Sequence, residues 1–303
     1  MKTVKILLLA LLVNQSFAQE QVNYKIIENE PRKINNFSIN IDLAQMDFSV
    51  GNIEGTNFSY GVWGHAMFKQ KFGVDYTLRN AWLTFGRLSD KTLKNRSNLQ
   101  LGGFFILNSR IKTAKTIVVL KQSKSYNNGK EYLNTLSINV PNGQKWKYIA
   151  ARAGLYLNRS IVQIDNPLGK DIYSNFYIFG AYGGLCFGTT KRLFIQTDKY
   201  GEKGNIGHVR FCLDAIITPI NNAPVGVKNT LPIGGRLLLQ TLPTLQRKDR
   251  KKKFRTKFTA EVEVGYRMVD GIYFGGSIAI PISRSIKFLR GEDEDQTIKR
   301  TTE

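Results

Sequence analysis

The sequence predicts an all-β protein: a transmembrane, antiparallel, up-and-down β-barrel of about twelve strands, or ten as the alternative, with one β-ribbon outside the membrane. Three observations predict it. Apolar and polar residues alternate in segment after segment. The alternating segments run to roughly ten residues, the span of a tilted transmembrane strand. The chain also opens on an export signal.

The stretch from Lys257 to Met268 shows the alternation most clearly. Phe258, Ala260, Val262, Val264, Tyr266 and Met268 share one face, and Thr259, Glu261, Glu263, Gly265 and Arg267 share the other. Successive strand side chains point to opposite faces, so this segment has one apolar side and one polar side.

Residues 1–18 read as the signal: Lys2 and Lys5, then the apolar run Ile6 to Val13, then Ser16-Phe17-Ala18 as a small-x-small cleavage site. The run is too short to span ~30 Å of hydrocarbon. The mature chain is expected to begin at Gln19, with residues 19–35 as an N-terminal periplasmic segment, 36–290 as the barrel and 291–303 as a polar tail. No later segment approaches the ~20 apolar residues of a transmembrane helix.

The formal charge is +21; without Lys2 and Lys5 it is 42 basic against 23 acidic side chains, or +19. Such an excess predicts an anionic partner. For an exported chain the candidates are outer-membrane lipid and lipopolysaccharide, with further envelope proteins; the absence of aromatic-basic motifs argues against nucleic acid. Cys186 and Cys212 are expected as free thiols. The reading places one strand between them, about two inter-strand spacings of ~4.8 Å, beyond the ~7 Å reach of a bridge.

Along the chain, Phe37, Ile39, Ile41 and Leu43 alternate with Ser38, Asn40 and Asp42; the phase then slips at Ala44-Gln45, and Met46, Phe48 and Val50 take over. A slip inside a strand is the mark of a β-bulge. Phe58, Tyr60, Val62, Gly64, Ala66 and Phe68 form the next apolar face, opposite Trp63 and His65. Phe72 to Arg79, Leu99 to Leu107 and Lys147 to Leu157 follow, then the glycine- and aromatic-rich Tyr173 to Phe187. Thr189-Thr190-Lys191-Arg192 reads as a tight turn into a separate strand at Leu193-Phe194-Ile195. His208 to Thr218, Ile233 to Thr241 and Ile272 to Ile282 complete about eleven strands, and Ser285 to Leu289 is taken as a twelfth because bacterial barrels are even-numbered. Val269-Asp270-Gly271 is a hairpin signal. Residues 108–145, lysine-rich around Asn127-Asn128-Gly129, read as the ribbon outside the membrane.

A soluble sandwich also alternates, but its strands average about five to six residues. The longer segments, the signal, and the tryptophans Trp63, Trp82 and Trp146 as interfacial girdles favour the membrane barrel. Tyr182-Gly183-Gly184, Gly234-Gly235-Arg236 and Glu263-Val264-Gly265-Tyr266-Arg267 together resemble the small outer-membrane barrels of Bacteroidota. That resemblance implies location and fold, and it carries over no catalytic or ligand residue.

Two charge constellations stand out. Asp75, Arg79, Arg152, Arg210, Asp214, Arg236, Glu261, Glu263 and Arg267 all fall on inward faces. Buried charge is costly unless paired, so they predict either a structural ion-pair network or a charged constriction for small solutes. Arg247, Lys248, Arg250, Lys251, Lys252, Lys253, Arg255 and Lys257 form a basic loop, read as solvated or as contacting a polyanion. His65 and His208 lie inward, each sharing a face with an aspartate. Without Gly-x-Ser-x-Gly, His-Glu-x-x-His or Cys/His metal spacing, no enzyme, metal or cofactor is expected. The expected function is passive: a small-solute pore or structural envelope component, with an accessory subunit of an export or surface-motility assembly as the alternative.

Overall fold

The computed structural model describes residues 22–34, 36–50, 54–88, 91–128, 130–164, 172–222, 232–242, 258–267 and 271–284. The strands are β1 (Tyr24–Asn29), β2 (Phe37–Val50), β3 (Glu54–Phe68), β4 (Phe72–Leu88), β5 (Lys91–Asn127), β6 (Lys130–Ile164), β7 (Ile172–Thr197), β8 (Gly201–Asn221), β9 (Ile233–Leu242), β10 (Thr259–Arg267) and β11 (Gly271–Arg284). From β2 to β11 each strand pairs antiparallel with the next, and β11 returns to β2. Among the described residues the result is a closed, up-and-down barrel of ten strands, with β1 outside the ring on β7.

The alternation sets which way each side chain points. On β8, Val209, Phe211, Leu213 and Ile217 are 39–53% exposed, while His208, Arg210, Cys212 and Asp214 are at most 3% exposed. The same contrast runs around the ring: Ile41, Phe48, Leu101, Leu155, Leu239, Val262 and Ile278 point out, and their polar neighbours are enclosed. A water-soluble fold has the opposite arrangement; this exterior suits hydrocarbon. The predicted bulge is present on β2, where the registers with both neighbours slip and Leu43 and Ala44 both face outward. At the β10–β11 hairpin Arg267 pairs with Gly271, whose φ of 75° glycine adopts without strain; residues 268–270 lie outside the described residues.

We call the end where β2 begins and β11 finishes the base, and the other end the rim. At the base two hairpins outrun the ring. β5 and β6 stay paired as far as Asn127 and Lys130, and β7 and β8 as far as Thr197 and Gly201, whereas the β6–β7 ladder stops at Lys145 and Lys191. Beyond that point the β5–β6 ribbon lies face to face on the β7–β8 tip. Val118, Leu120 and Val140 pack on Leu193 and Ile195, with Tyr24 of β1 at the margin. Asn205 Nδ2 donates to the Ile117 carbonyl at 2.6 Å. The tips thus form a small two-layer lobe on the barrel.

Four expectations change. The ring has ten strands, not twelve. The surplus came from Leu193 to Ile195, which continues β7, and from 285–289, which lies outside the described residues. Thr189 to Arg192 is not a turn: Thr190 and Arg192 keep the inward phase, and Arg192 is held by Glu28 of β1 at 2.5 Å. Because β7 is unbroken, β7 and β8 are direct neighbours. Cys186 therefore sits opposite Cys212, 4.1 Å apart at Cα, and the two form a disulfide instead of two free thiols. Of the proposed girdle, only Trp82 faces outward. Trp63 and Trp146 occupy inward positions, and Trp63 Nε1 donates to Asp42 Oδ1 at 2.9 Å.

Candidate functional site

The lumen is the site with the densest chemistry, and it is built in layers. Nearest the base is an apolar layer of Met67, Phe104, Ile106, Trp146 and Leu238 around the disulfide. Ile34, from the segment joining β1 to β2, packs into this layer and is 4% exposed. The chain just before the barrel therefore stoppers the mouth.

Tyr148, itself part of this apolar cluster, places its Oη 3.0 Å from His208 Nε2, and beside it Ser38 Oγ lies 2.9 Å from His65 Nδ1. The two imidazoles stand edge to face at 6.5 Å. A serine beside a histidine has the parts of a nucleophile and base. Here Ser38 and His65 are both buried, toward the base end of β2 and β3.

The middle layer brings together all nine charged residues expected on inward faces. Arg79 Nε meets Asp42 at 2.8 Å and its Nη1 meets Glu261 at 2.8 Å. Glu261 accepts from Gln240 at 2.5 Å, Gln240 accepts from Arg210 at 2.7 Å, and Arg210 meets Asp75 at 2.9 Å. A second chain runs from Arg152 to Asp214 at 3.6 Å, Asp214 to Arg236 at 2.6 Å, Arg236 to Glu263 at 3.5 Å, Glu263 to Arg267 at 3.3 Å, and Arg267 to Asp47 at 3.3 Å. Charged side chains removed from water require partners of opposite sign and saturated hydrogen bonds, and each arginine's planar fork supplies both. β8, β9 and β10 are neighbours, which is why six of the nine meet so readily.

The network contains residues that the sequence reading did not single out. Asp42 and Asp47 close its two ends; the alternation on either side of the β2 bulge places both inward. Gln100 accepts from Arg236 at 2.6 Å, and Tyr273 Oη donates to Glu263 at 2.5 Å. Tyr182 lies between two guanidiniums, 4.9 Å from Arg152 and 4.6 Å from Arg236. Its ring needs open wall beside it. A Cβ on Gly102 would stand 2.2 Å from the Tyr182 hydroxyl, and one on Gly154 would stand 2.6 Å from its ring. The paired glycines of β5 and β6 are therefore the seat of an aromatic ring.

Little space remains. Among the described residues, two cavities in the charged layer measure about 30 and 10 Å³, room for on the order of one or two waters. Asp47, Asn57, Arg96, Asn98 and Glu263 line the larger, and Asp75, Arg152, Arg210 and Arg236 the smaller. The basic residues Arg247, Lys248, Arg250, Lys251, Lys252, Lys253, Arg255 and Lys257 lie outside the described residues; the strand ends they join, Leu242 and Thr259, are at the base. No group of three or more His, Cys, Asp and Glu side chains suited to a metal ion occurs among the described residues.

No family model matches the chain, and no curated protein matches it. Among solved structures it is similar to the NanC porin in a rhombohedral crystal form, at 6% identity over 80% of this chain and 99% of that one, with a TM-score of 0.25. What identifies the chain is its own geometry: a closed ten-stranded barrel with an apolar exterior and a lumen filled by paired charges.

Proposed function

We propose that this chain is a non-enzymatic outer-membrane barrel that serves as a structural component of the envelope, of the kind found among the small barrels of Bacteroidota, and that it is not an open solute pore. One observation carries the reading. The lumen is occupied twice over, by ion-paired arginines and carboxylates at mid-height and by an apolar layer stoppered by Ile34 at the base. A constriction that filters solutes needs a continuous water path, and cavities of about 30 and 10 Å³ do not make one. The apolar belt supports a bilayer location, and the export signal read from residues 1–18 supports the outer membrane.

The test is planar-bilayer recording on the refolded mature chain, alongside fractionation of cells producing it. The expected result is outer-membrane material and a silent bilayer. Stable, stepwise conductance from folded protein would restore the pore reading.

A second reading, an accessory subunit of an export or motility assembly, is favoured by the lobe at the base. Its outer surface exposes Ile117, Val119, Tyr126, Tyr132 and Leu133, more apolar surface than a solvated hairpin needs. Co-purification of defined envelope proteins that is lost when residues 115–141 are replaced by a short turn supports that reading; purification of the intact barrel alone opposes it.

A further inference from the structure

On the outside of the barrel, β5, β6 and β7 carry an unusual lattice of charge where the apolar belt ends toward the base. Lys112 is directly opposite Lys145, which is directly opposite Lys191. One step nearer the belt, Arg110 is directly opposite Lys147. A bulge between Ile106 and Asn108 puts Arg110 and Lys112 in outward phase, so all five cations share the outer surface. Facing Cβ atoms on adjacent strands are about 4.5–5.5 Å apart, so the five head groups occupy a patch on the order of 10 Å across.

Like charges directly opposite one another destabilise a sheet. Elsewhere in this molecule arginines are matched with carboxylates, as the lumen shows. None of these five is ion-paired among the described residues. Among the described residues the lattice is thus a concentration of positive charge with no ion-paired carboxylate.

Its position supplies the second observation. A groove of about 340 Å³ runs from the lattice into the belt, lined by Ser109, Arg110, Lys147 and Thr189 at one end and by Ile149 and Phe187 at the other. Gly188 forms part of its floor, where a Cβ would stand 1.9 Å from the Tyr148 ring beneath. One end offers guanidinium, ammonium and hydroxyl donors; the other offers half-exposed apolar side chains continuous with the belt. That is the complement of an amphiphile with an anionic head and a hydrocarbon tail.

We infer that Arg110, Lys112, Lys145, Lys147 and Lys191 form a binding site for the phosphate of a membrane lipid, with an acyl chain lying over Ile149 and Phe187. Arg110 offers a two-pronged donor to phosphate oxygens, and the lysines act as point charges around it. The bound phosphate is the counterion that the sheet lacks. The inference rests on the bilayer location proposed above, and it adds the lipid chemistry that this face of the barrel selects.

The test uses the full mature chain, refolded and placed in nanodiscs of phosphatidylcholine alone, or of phosphatidylcholine with phosphatidylglycerol or with lipid A. Native mass spectrometry counts lipids retained on the barrel. The native chain is expected to retain phosphatidylglycerol or lipid A over phosphatidylcholine. The triple variant Lys145→Gln, Lys147→Gln, Lys191→Gln loses that enrichment by on the order of tenfold or more. The same variant stays folded in phosphatidylcholine at least as well as the native chain, because like-charge repulsion is relieved. The control Lys121→Gln, Lys130→Gln, which neutralises lobe lysines away from the groove, keeps the enrichment.

Equal retention of neutral and anionic lipid by the native chain overturns the site while leaving the membrane location intact. Displacement of the lipid by inorganic phosphate at matched concentration also overturns it, since the ligand is then a free anion. A chain that inserts into none of these bilayers overturns the location and this site together.

Discussion

Arg236→Met tests whether the lumen network holds the barrel together. Arg236 is 2% exposed and donates to Asp214 and to Gln100, both at 2.6 Å, with Glu263 at 3.5 Å and the Tyr182 ring beneath it. Without it, Glu263 still has Arg267 at 3.3 Å and the Tyr273 hydroxyl at 2.5 Å. Asp214 is worse placed, because its remaining cation is Arg152 at 3.6 Å. One enclosed carboxylate is thus left poorly matched, which costs about 3–5 kcal/mol. Arg236→Lys keeps the charge but cannot reach Asp214 and Gln100 together, so it loses about 1–3 kcal/mol. The expected order of stability is native, then Lys, then Met. Urea unfolding of the barrel in micelles reads it, the Met variant's midpoint falling by about 1–3 M. A Met variant within about 1 kcal/mol of native, conducting in planar bilayers where the native chain is silent, would refute the argument and make Arg236 a gate instead of a strut.

Three further outcomes follow from other parts of the molecule. Leu213→Arg, on the outward face of β8, is expected to destabilise the folded barrel by about 2–4 kcal/mol in bilayers; an unchanged unfolding midpoint would mean that Leu213 does not meet hydrocarbon. Alkylation of the denatured, unreduced chain is expected to label neither cysteine, and Cys186→Ser with Cys212→Ser to lower stability by about 3 kcal/mol, from a closed loop with a sequence separation of 26; two labelled thiols would restore the original expectation. Val118→Asp places a carboxylate in the lobe's apolar layer and is expected to expose the β5–β6 ribbon to protease while the ring stays resistant; a ribbon as resistant as before would show that the layer does not hold it.

The alternating strands were legible because every wall residue answers to one of two opposite environments. The errors came where that local rule carries no information or was set aside for residue type. Thr189-Thr190-Lys191-Arg192 has the composition of a turn, but Arg192 is polar because Glu28, far away in sequence, waits for it on β1. That one misreading split β7, inflated the strand number and separated two cysteines that are neighbours. Trp63 and Trp146 were assigned to girdles by residue type when their phase pointed inward. The nine charged residues of the lumen were readable from phase alone, yet their partners were not. Arg79 finds Glu261 across 182 residues of chain, a pairing set by closure of the ring and not by spacing. Asp42 and Asp47 fell into the same network because the β2 bulge restores their inward phase after the slip.

The stopper at Ile34 has a consequence for assembly. It and β1 belong to the part of the chain that reaches the envelope first, yet among the described residues β1 pairs with residues 193–197, and Ile34 sits among side chains from β3, β5, β6, β7, β8 and β9. The leading segment must wait, unpartnered, until most of the wall has formed around the place it will occupy. Closure of the base by Ile34 is thus among the last contacts the fold can make.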